Sequence, residues 1–193
     1  MRKNYGGTSW YLPMPIVFVS TYDEEGRANV MVAAWSGIYD CEHVYLSLEM
    51  GHKTTHNLLL NRSFTLGFAS KHLVGACEYV GRVSGYEDVD KFHKAGFTAT
   101  PSTIVYAPLI EESPLCLECC LVSCENGIVI GKILNTSADE RVLDEEGLPD
   151  LSKMDLGSFT VCKNISPFFL KMSHIISISF SSGYLFAFFS PLS

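Results

Sequence analysis

The sequence predicts a mainly β fold, a closed or nearly closed barrel of antiparallel strands with only short helices between them. Three observations carry that expectation. Short segments repeat a period-two alternation of apolar and polar residues, Asn126-Gly127 stands between two such segments as a hairpin turn, and the strands follow one another in meander order. An open sheet built that way would leave unpaired edges, which closure removes. The 193 residues are 47% hydrophobic and 12% aromatic, enough for a full core. No repeat or linker divides them, so one domain over residues 1–193 is expected.

Taken in order, Pro13 and Pro15 precede a strand at residues 16–20, and the polar run from Tyr22 to Gly26 turns it into a second strand at residues 28–34. His43 to Glu49 alternates with Val44, Leu46 and Leu48 on one face, and is expected to pair with the strand before it. A short helix from Thr55 carries Leu58, Leu59 and Leu60. Residues 63–69 alternate again, and Ser70 starts a helix over residues 73–80. Gly81 and Gly85 mark a loop, and Asp88 to Ala95 reads as a short helix stopped by Gly96. Strands are expected at residues 103–106, 115–123 and 128–134, followed by an acidic surface turn over residues 139–150.

Composition excludes some functions. A net charge of −7 without clustered Lys and Arg argues against nucleic acid as a partner. No continuous apolar stretch precedes Pro13, so no secretory signal is read and a cytoplasmic protein is expected. Seven cysteines without framework spacing then read as reduced thiols, with no disulfides.

Two stretches carry the candidate site. Along residues 29–37 the strand offers Asn29, Val30, Met31, Ala34 and Trp35, an amide at one end and a large flat ring at the other. His52, Lys53, Thr54, Thr55 and Asn57 sit where a strand turns into a helix, bringing hydroxyls and free backbone N–H groups to a helix start that favours anions. A flat ring beside a phosphate suggests a mononucleotide cofactor.

The order of residues 29–37, Thr54-Thr55-His56-Asn57, Gly81-x-x-Ser84-Gly85 and Asp90-Lys91-Phe92 resembles the flavin-reductase-like FMN-binding split-barrel family, most closely its flavoredoxin branch. The resemblance implies a six-stranded antiparallel Greek-key split barrel with short peripheral helices, forming a homodimer with FMN near the subunit interface. It matches Asn29, Trp35, Thr55 and Lys91 to flavin-contacting positions, and Ser84 and Gly85 to the family's loop. FMN's phosphate carries about two negative charges, which Lys91, Lys53 and the helix start can meet. Ser47, Ala69 and Ser70 stand at strand ends where backbone groups could reach the ring. No catalytic side chain is assigned, because the flavin carries the chemistry. The expected function is a flavoprotein oxidoreductase, flavoredoxin-like or flavin-reductase-like, passing electrons from NAD(P)H or a protein donor to a flavin, metal or protein acceptor. A non-catalytic FMN-binding or sensing module is the alternative.

Other motifs carry less. His52 and His56 are four apart, but the glutamate of a His-Glu-x-x-His zinc helix is missing, and threonines at the centre suit phosphate better, so no metal is assigned. In the run Cys116, Cys119, Cys120, Cys124, strand alternation points Cys119 away from the other three, which reads as structural thiols; a metal or thiol redox protein ranks last. No glycine-rich dinucleotide fingerprint appears, so a nicotinamide donor would dock over the flavin. The tail from about residue 165 is atypically apolar. Met172 to Ser193 contains no Asp, Glu, Lys or Arg; its serines make a membrane span a weak reading, and a buried dimer surface is expected instead.

Overall fold

In the computed structural model the described residues are 1–4, 6–7, 13–159, 175–181 and 184–187, and strands β1 (Met14–Pro15) and β2 (Val17–Tyr22) come first in the longest of these stretches. There follow β3 (Ala28–Ala33), β4 (Ser36–Ile38), β5 (His43–Ser47), α1 (Lys53–Asn61), β6 (Ser63–Phe68), α2 (Val74–Arg82) and α3 (Lys91–Lys94). Then come β7 (Ala99–Pro101), β8 (Pro108–Ile110), β9 (Leu115–Glu125), β10 (Ile128–Ala138), α4 (Leu151–Met154), β11 (Gly157–Phe159), β12 (Ile175–Ser181) and β13 (Tyr184–Ala187).

The main sheet is antiparallel, in the order β3-β2-β6-β9-β10-β5-β4. Its edge strands β3 and β4 are separated in the chain only by Ala34 and Trp35, so the sheet must curl until its edges approach. That is a split barrel. Seven strands are present where six were expected; counting β3 and β4 as one strand broken at Ala34-Trp35 recovers the six. The pairing expected for β5 is made by β4, beyond that break, with Gly37 opposite Tyr45.

The sheet is buried on both faces around β2. Inside the curl, Val17, Val19, Ala33, Leu46, Phe64, Leu117 and Val129 pack with Leu58 of α1. Outside it, Ile16, Phe18, Val30, Val32 and Ala34 pack against Cys77 and Val80 of α2 and Phe92 of α3. The β9–β10 turn is as the sequence demands: Asn126 (φ 52°) and Gly127 (φ 83°) both take positive φ, the geometry of a two-residue hairpin turn.

Two expectations are corrected. Residues 103–106 are not a strand, because Ser102 Oγ accepts from the backbone N–H groups of Ile104 and Val105 and closes a turn. Pro101 and Pro108 pair in a short hairpin around it. Gly81 lies within α2 rather than in a loop. The acidic run is a surface turn as expected, with one 3₁₀ turn at Glu140–Val142.

The apolar tail forms strands at β12 and β13; its burial, and residues 160–174 and 188–193, lie outside what the structure describes. No helix among the described residues is long and apolar enough to cross a membrane.

Candidate functional site

At the end of the curl covered by α1, polar side chains replace the apolar lining. Thr21 and Asn29 are opposite one another in β2 and β3. Asn29 Nδ2 donates to Thr54 Oγ1 at 2.8 Å and to Thr21 Oγ1 at 3.4 Å, and Asn57 Nδ2 donates to Thr21 Oγ1 at 3.2 Å. All four residues are buried. Thr21 was missed by the sequence reading, which ended that strand at Ser20; its register opposite Asn29 across the hairpin is the signal that would have found it.

The network leaves groups unused. Asn29 Oδ1, Asn57 Oδ1 and His52 Nδ1 are buried without a hydrogen-bond partner among the described residues, and buried polar groups are ordinarily paired. The Thr54 hydroxyl accepts from Asn29, and its own proton has no acceptor among the described residues. Thr55 differs, since its hydroxyl donates to Glu49 O at 2.8 Å, leaving only its backbone N–H for a ligand.

Helix α1 starts here with no side-chain cap and no acidic residue in its first turn. Its first N–H groups therefore receive no acceptor from a capping side chain among the described residues.

Lys91 is the remaining charged candidate. It is 3% exposed, donates one of its three N–H groups to Val83 O at 2.9 Å, and has no carboxylate within ion-pair distance among the described residues. Desolvation brings its ammonium down to about 8, with the Asp88 carboxylate acting in the opposite sense. The same charge helps lower the His52 imidazole, for which burial is the larger cause and Glu49 a counterweight. A buried cation without a carboxylate partner among the described residues is costly, and its charge bears on His52, the residue that begins α1.

Lys53 behaves otherwise. Its ammonium is bound to Glu24 at 2.5 Å and lies 5.3 Å from the centre of the Tyr86 ring. The loop after α2 closes over the corner: a Cβ on Gly85 would meet Asn29 Oδ1, and Ser84 Oγ accepts from Tyr86 N to form the turn.

The other expected contacts lie along β3 or beyond it. Val30 and Ala34 are buried in the outer cluster, Met31 half-buried on the inner one. Trp35 is 55% exposed, and its carbonyl accepts from Ser47 N at 2.8 Å, which brings these two candidates together. From Asn29 to Trp35 is at most roughly 20 Å at the rise of an extended chain, a span suited to an elongated ligand with a charged end and a flat end.

Ala69 and Ser70 belong to neither end. Ala69 N–H donates to Ile16 O and its carbonyl accepts from Gly157 N, so its backbone is committed to the fold. Ser70 Oγ contacts the His72 ring and lines a cleft of about 500 Å³ with Glu111, Arg141 and Lys153.

His52 and His56 turn to different carboxylates, Glu49 and Glu24. The cysteine run departs from simple alternation. Cys119 packs in the inner cluster, and a register shift between Leu121 and Ser123 brings Cys124 against that same cluster, 3.9 Å from Met50 Sδ. Burial pushes the Cys119 thiol up to about 12, as it does that of Cys77.

Comparison with known proteins agrees with this architecture. The family model described as "Flavin reductase like domain" matches residues 9–152. The structure of flavoredoxin from Desulfovibrio vulgaris (Miyazaki F) superposes with a TM-score of 0.79 at 32% identity, covering 89% of this chain and 99% of that one. Flavoredoxin from Methanosarcina acetivorans gives 0.74 at 23% identity, covering 89% and 97%. An FMN-binding domain of a flavin reductases-like enzyme from Shewanella baltica OS155 gives 0.66 at 19% identity, covering 79% and 88%.

Proposed function

The chain belongs to the flavin reductase like domain family, and we propose from that premise that it is an FMN-binding oxidoreductase. In this reading it takes electrons from NAD(P)H or a protein donor and passes them to a flavin, metal or protein acceptor, as a flavoredoxin or flavin reductase would. The observation that carries the reading is Lys91, a buried ammonium without a carboxylate partner among the described residues, whose charge bears on His52, the residue at the start of α1.

The residues present fit FMN. Lys91, the first-turn N–H groups of α1 and the Thr54 hydroxyl would hold the phosphate, an assembly of charge and oriented donors suited to a dianion. Asn29 Oδ1 would accept from a hydroxyl of the ribityl chain. Trp35 would cover the ring, and Val30 and Ala34 back the strand with a dry wall. When bound, FMN supplies the electron transfer, and the protein orients it and excludes competing reactions. A homodimer fits the exposed Trp35, Ile38 and Tyr39 at and beside edge strand β4, where an unpaired edge invites a partner. A cytoplasmic setting fits the six free thiols among the described residues.

The test is anaerobic mixing of the full chain loaded with FMN with NADH, NADPH or a reduced electron-carrier protein, following loss of flavin absorbance. Bleaching, with turnover once an acceptor is added, supports the oxidoreductase. FMN binding with no reduction by any of the three donors would favour a non-catalytic binding or sensing module. Failure to bind FMN overturns the reading altogether.

A further inference from the structure

Exposure and charge change together on leaving the anion corner. Lys53, next to Thr54 at the start of α1, is 11% exposed in its side chain and its partner Glu24 42%, so the corner ends in a carboxylate on this outer side. The stem of Lys53 shares a neighbour with Asn29: its Cγ would lie 3.1 Å from a Cβ on Gly85, which would also touch Asn29. Its ammonium continues to Glu24, and the second Glu24 oxygen takes His56 Nε2 at 2.8 Å. Asp23 and Glu25 bring further carboxylate oxygens within 4.8 Å of this group. Asp23 and Glu25 are themselves engaged by Arg27. The inner end of the corner thus holds a cation without a carboxylate partner among the described residues, and the outer end a cation already neutralised by an acidic rim.

We infer that Glu24 is a specificity-determining residue: it admits a flavin that ends in one phosphoryl group and turns away one that continues through a second phosphoryl group into a nucleoside. This rests on the FMN reading above and deepens it. A terminal phosphate is satisfied at Lys91, Thr54 and the start of α1 and needs nothing farther out. A pyrophosphate would bring its second charge toward a rim where Lys53 is already committed to Glu24 and a carboxylate stands in its way. Like charges brought together at an interface oppose binding and set specificity more than affinity. Glu24 is held ionised across the physiological range by its hydrogen bond from Lys53, then by its backbone and His56, its carboxyl lying at about 2.

The full-length protein freed of flavin is titrated with FMN and with FAD by fluorescence quenching, as wild type, Glu24→Gln and Glu24→Lys. Glu24 is surface-exposed, so these variants are expected to fold; thermal melts check this. Wild type is expected to prefer FMN. Glu24→Gln removes the carboxylate and frees Lys53, raising FAD affinity about fivefold and Glu24→Lys more, with FMN affinity moving about twofold or less and the FAD gain fading as salt screens it. FAD affinity unchanged in both variants, or FMN and FAD gaining equally, overturns the assignment to Glu24. Wild type that binds neither flavin instead overturns the FMN reading on which the inference stands.

Discussion

Gly85 lies so close against Asn29 that a Cβ at position 85 would stand 2.3 Å from the amide oxygen. That contact ties the loop after α2 to the strand that carries the proposed cofactor, and it joins two residues far apart in sequence in one corner. The φ of Gly85 is not in the left-handed region, so the demand for glycine is one of space.

Gly85→Ala is therefore expected to displace the Asn29 side chain or the loop. Overpacking of this kind costs about 1–3 kcal/mol, and FMN affinity should fall roughly tenfold or more. Flavin fluorescence titration of the purified variant checks it, and unchanged affinity would mean that the corner does not hold the ligand.

Lys91 gives a pH signature. Its ordinary value is 10.5 and burial lowers it to about 8 in the folded protein. Between those values the unfolded chain binds more protons, so the contribution of Lys91 to stability rises with pH, by at most about 1.4 kcal/mol per unit. The buried thiols of Cys77 and Cys119 act oppositely from pH 9 upward, because their folded values are raised and the folded chain holds the extra protons. The comparison that isolates Lys91 is with Lys91→Met. Urea denaturation of flavin-free protein should find the variant more stable at pH 7.5, by a margin that shrinks toward pH 10. Saturating FMN should flatten the wild-type gain, since phosphate keeps the ammonium charged. A margin independent of pH would mean that Lys91 is not desolvated.

How much of this could be read from the chain itself depends on how local each determinant is. The β9–β10 hairpin was legible because Asn126 and Gly127 tolerate the positive φ their turn requires. The face of Val44, Leu46 and Leu48 was legible because all three are buried, as strict alternation demands. Residues 103–106 misled because a β-rich composition was overridden by one hydroxyl, that of Ser102. The turn of Cys124 toward the face of Cys119 was invisible, since a strand bulge depends on its partner's register. Within the site, Asn29, Thr54 and Lys91 could be chosen from residue type and order. That Lys53 is neutralised by Glu24 and that Thr55 gives its proton to Glu49 O could not, because both are settled by contacts between separate elements.

Gly131 supplies a control away from the site. A Cβ there would stand 2.4 Å from Phe64 Cζ, inside the curl where the ring is fully buried. Gly131→Ala should destabilise the fold by about 1–3 kcal/mol while leaving FMN affinity unchanged below the melting transition. Thermal melts and a titration at low temperature separate the two effects. Loss of affinity in folded protein would show that stability and binding are coupled through the sheet.

The thiols are expected to divide by burial. Exposed Cys41 should be alkylated by iodoacetamide rapidly at pH 8, whereas Cys77 and Cys119, held at about 12, should react only on unfolding. Peptide mass spectrometry of a time course reads this directly. Rapid modification of Cys119 in folded protein would reopen a redox role for the cysteine run.

The most direct measurement is FMN retention by Lys91→Glu, which sets a carboxylate against the proposed phosphate. Wild type purified and supplied with FMN should be yellow and hold the flavin through gel filtration. The variant should fold by circular dichroism yet emerge colourless, its affinity lower by about a hundredfold or more for a reversed buried charge. A Lys91→Glu protein that keeps FMN with wild-type affinity would contradict the account.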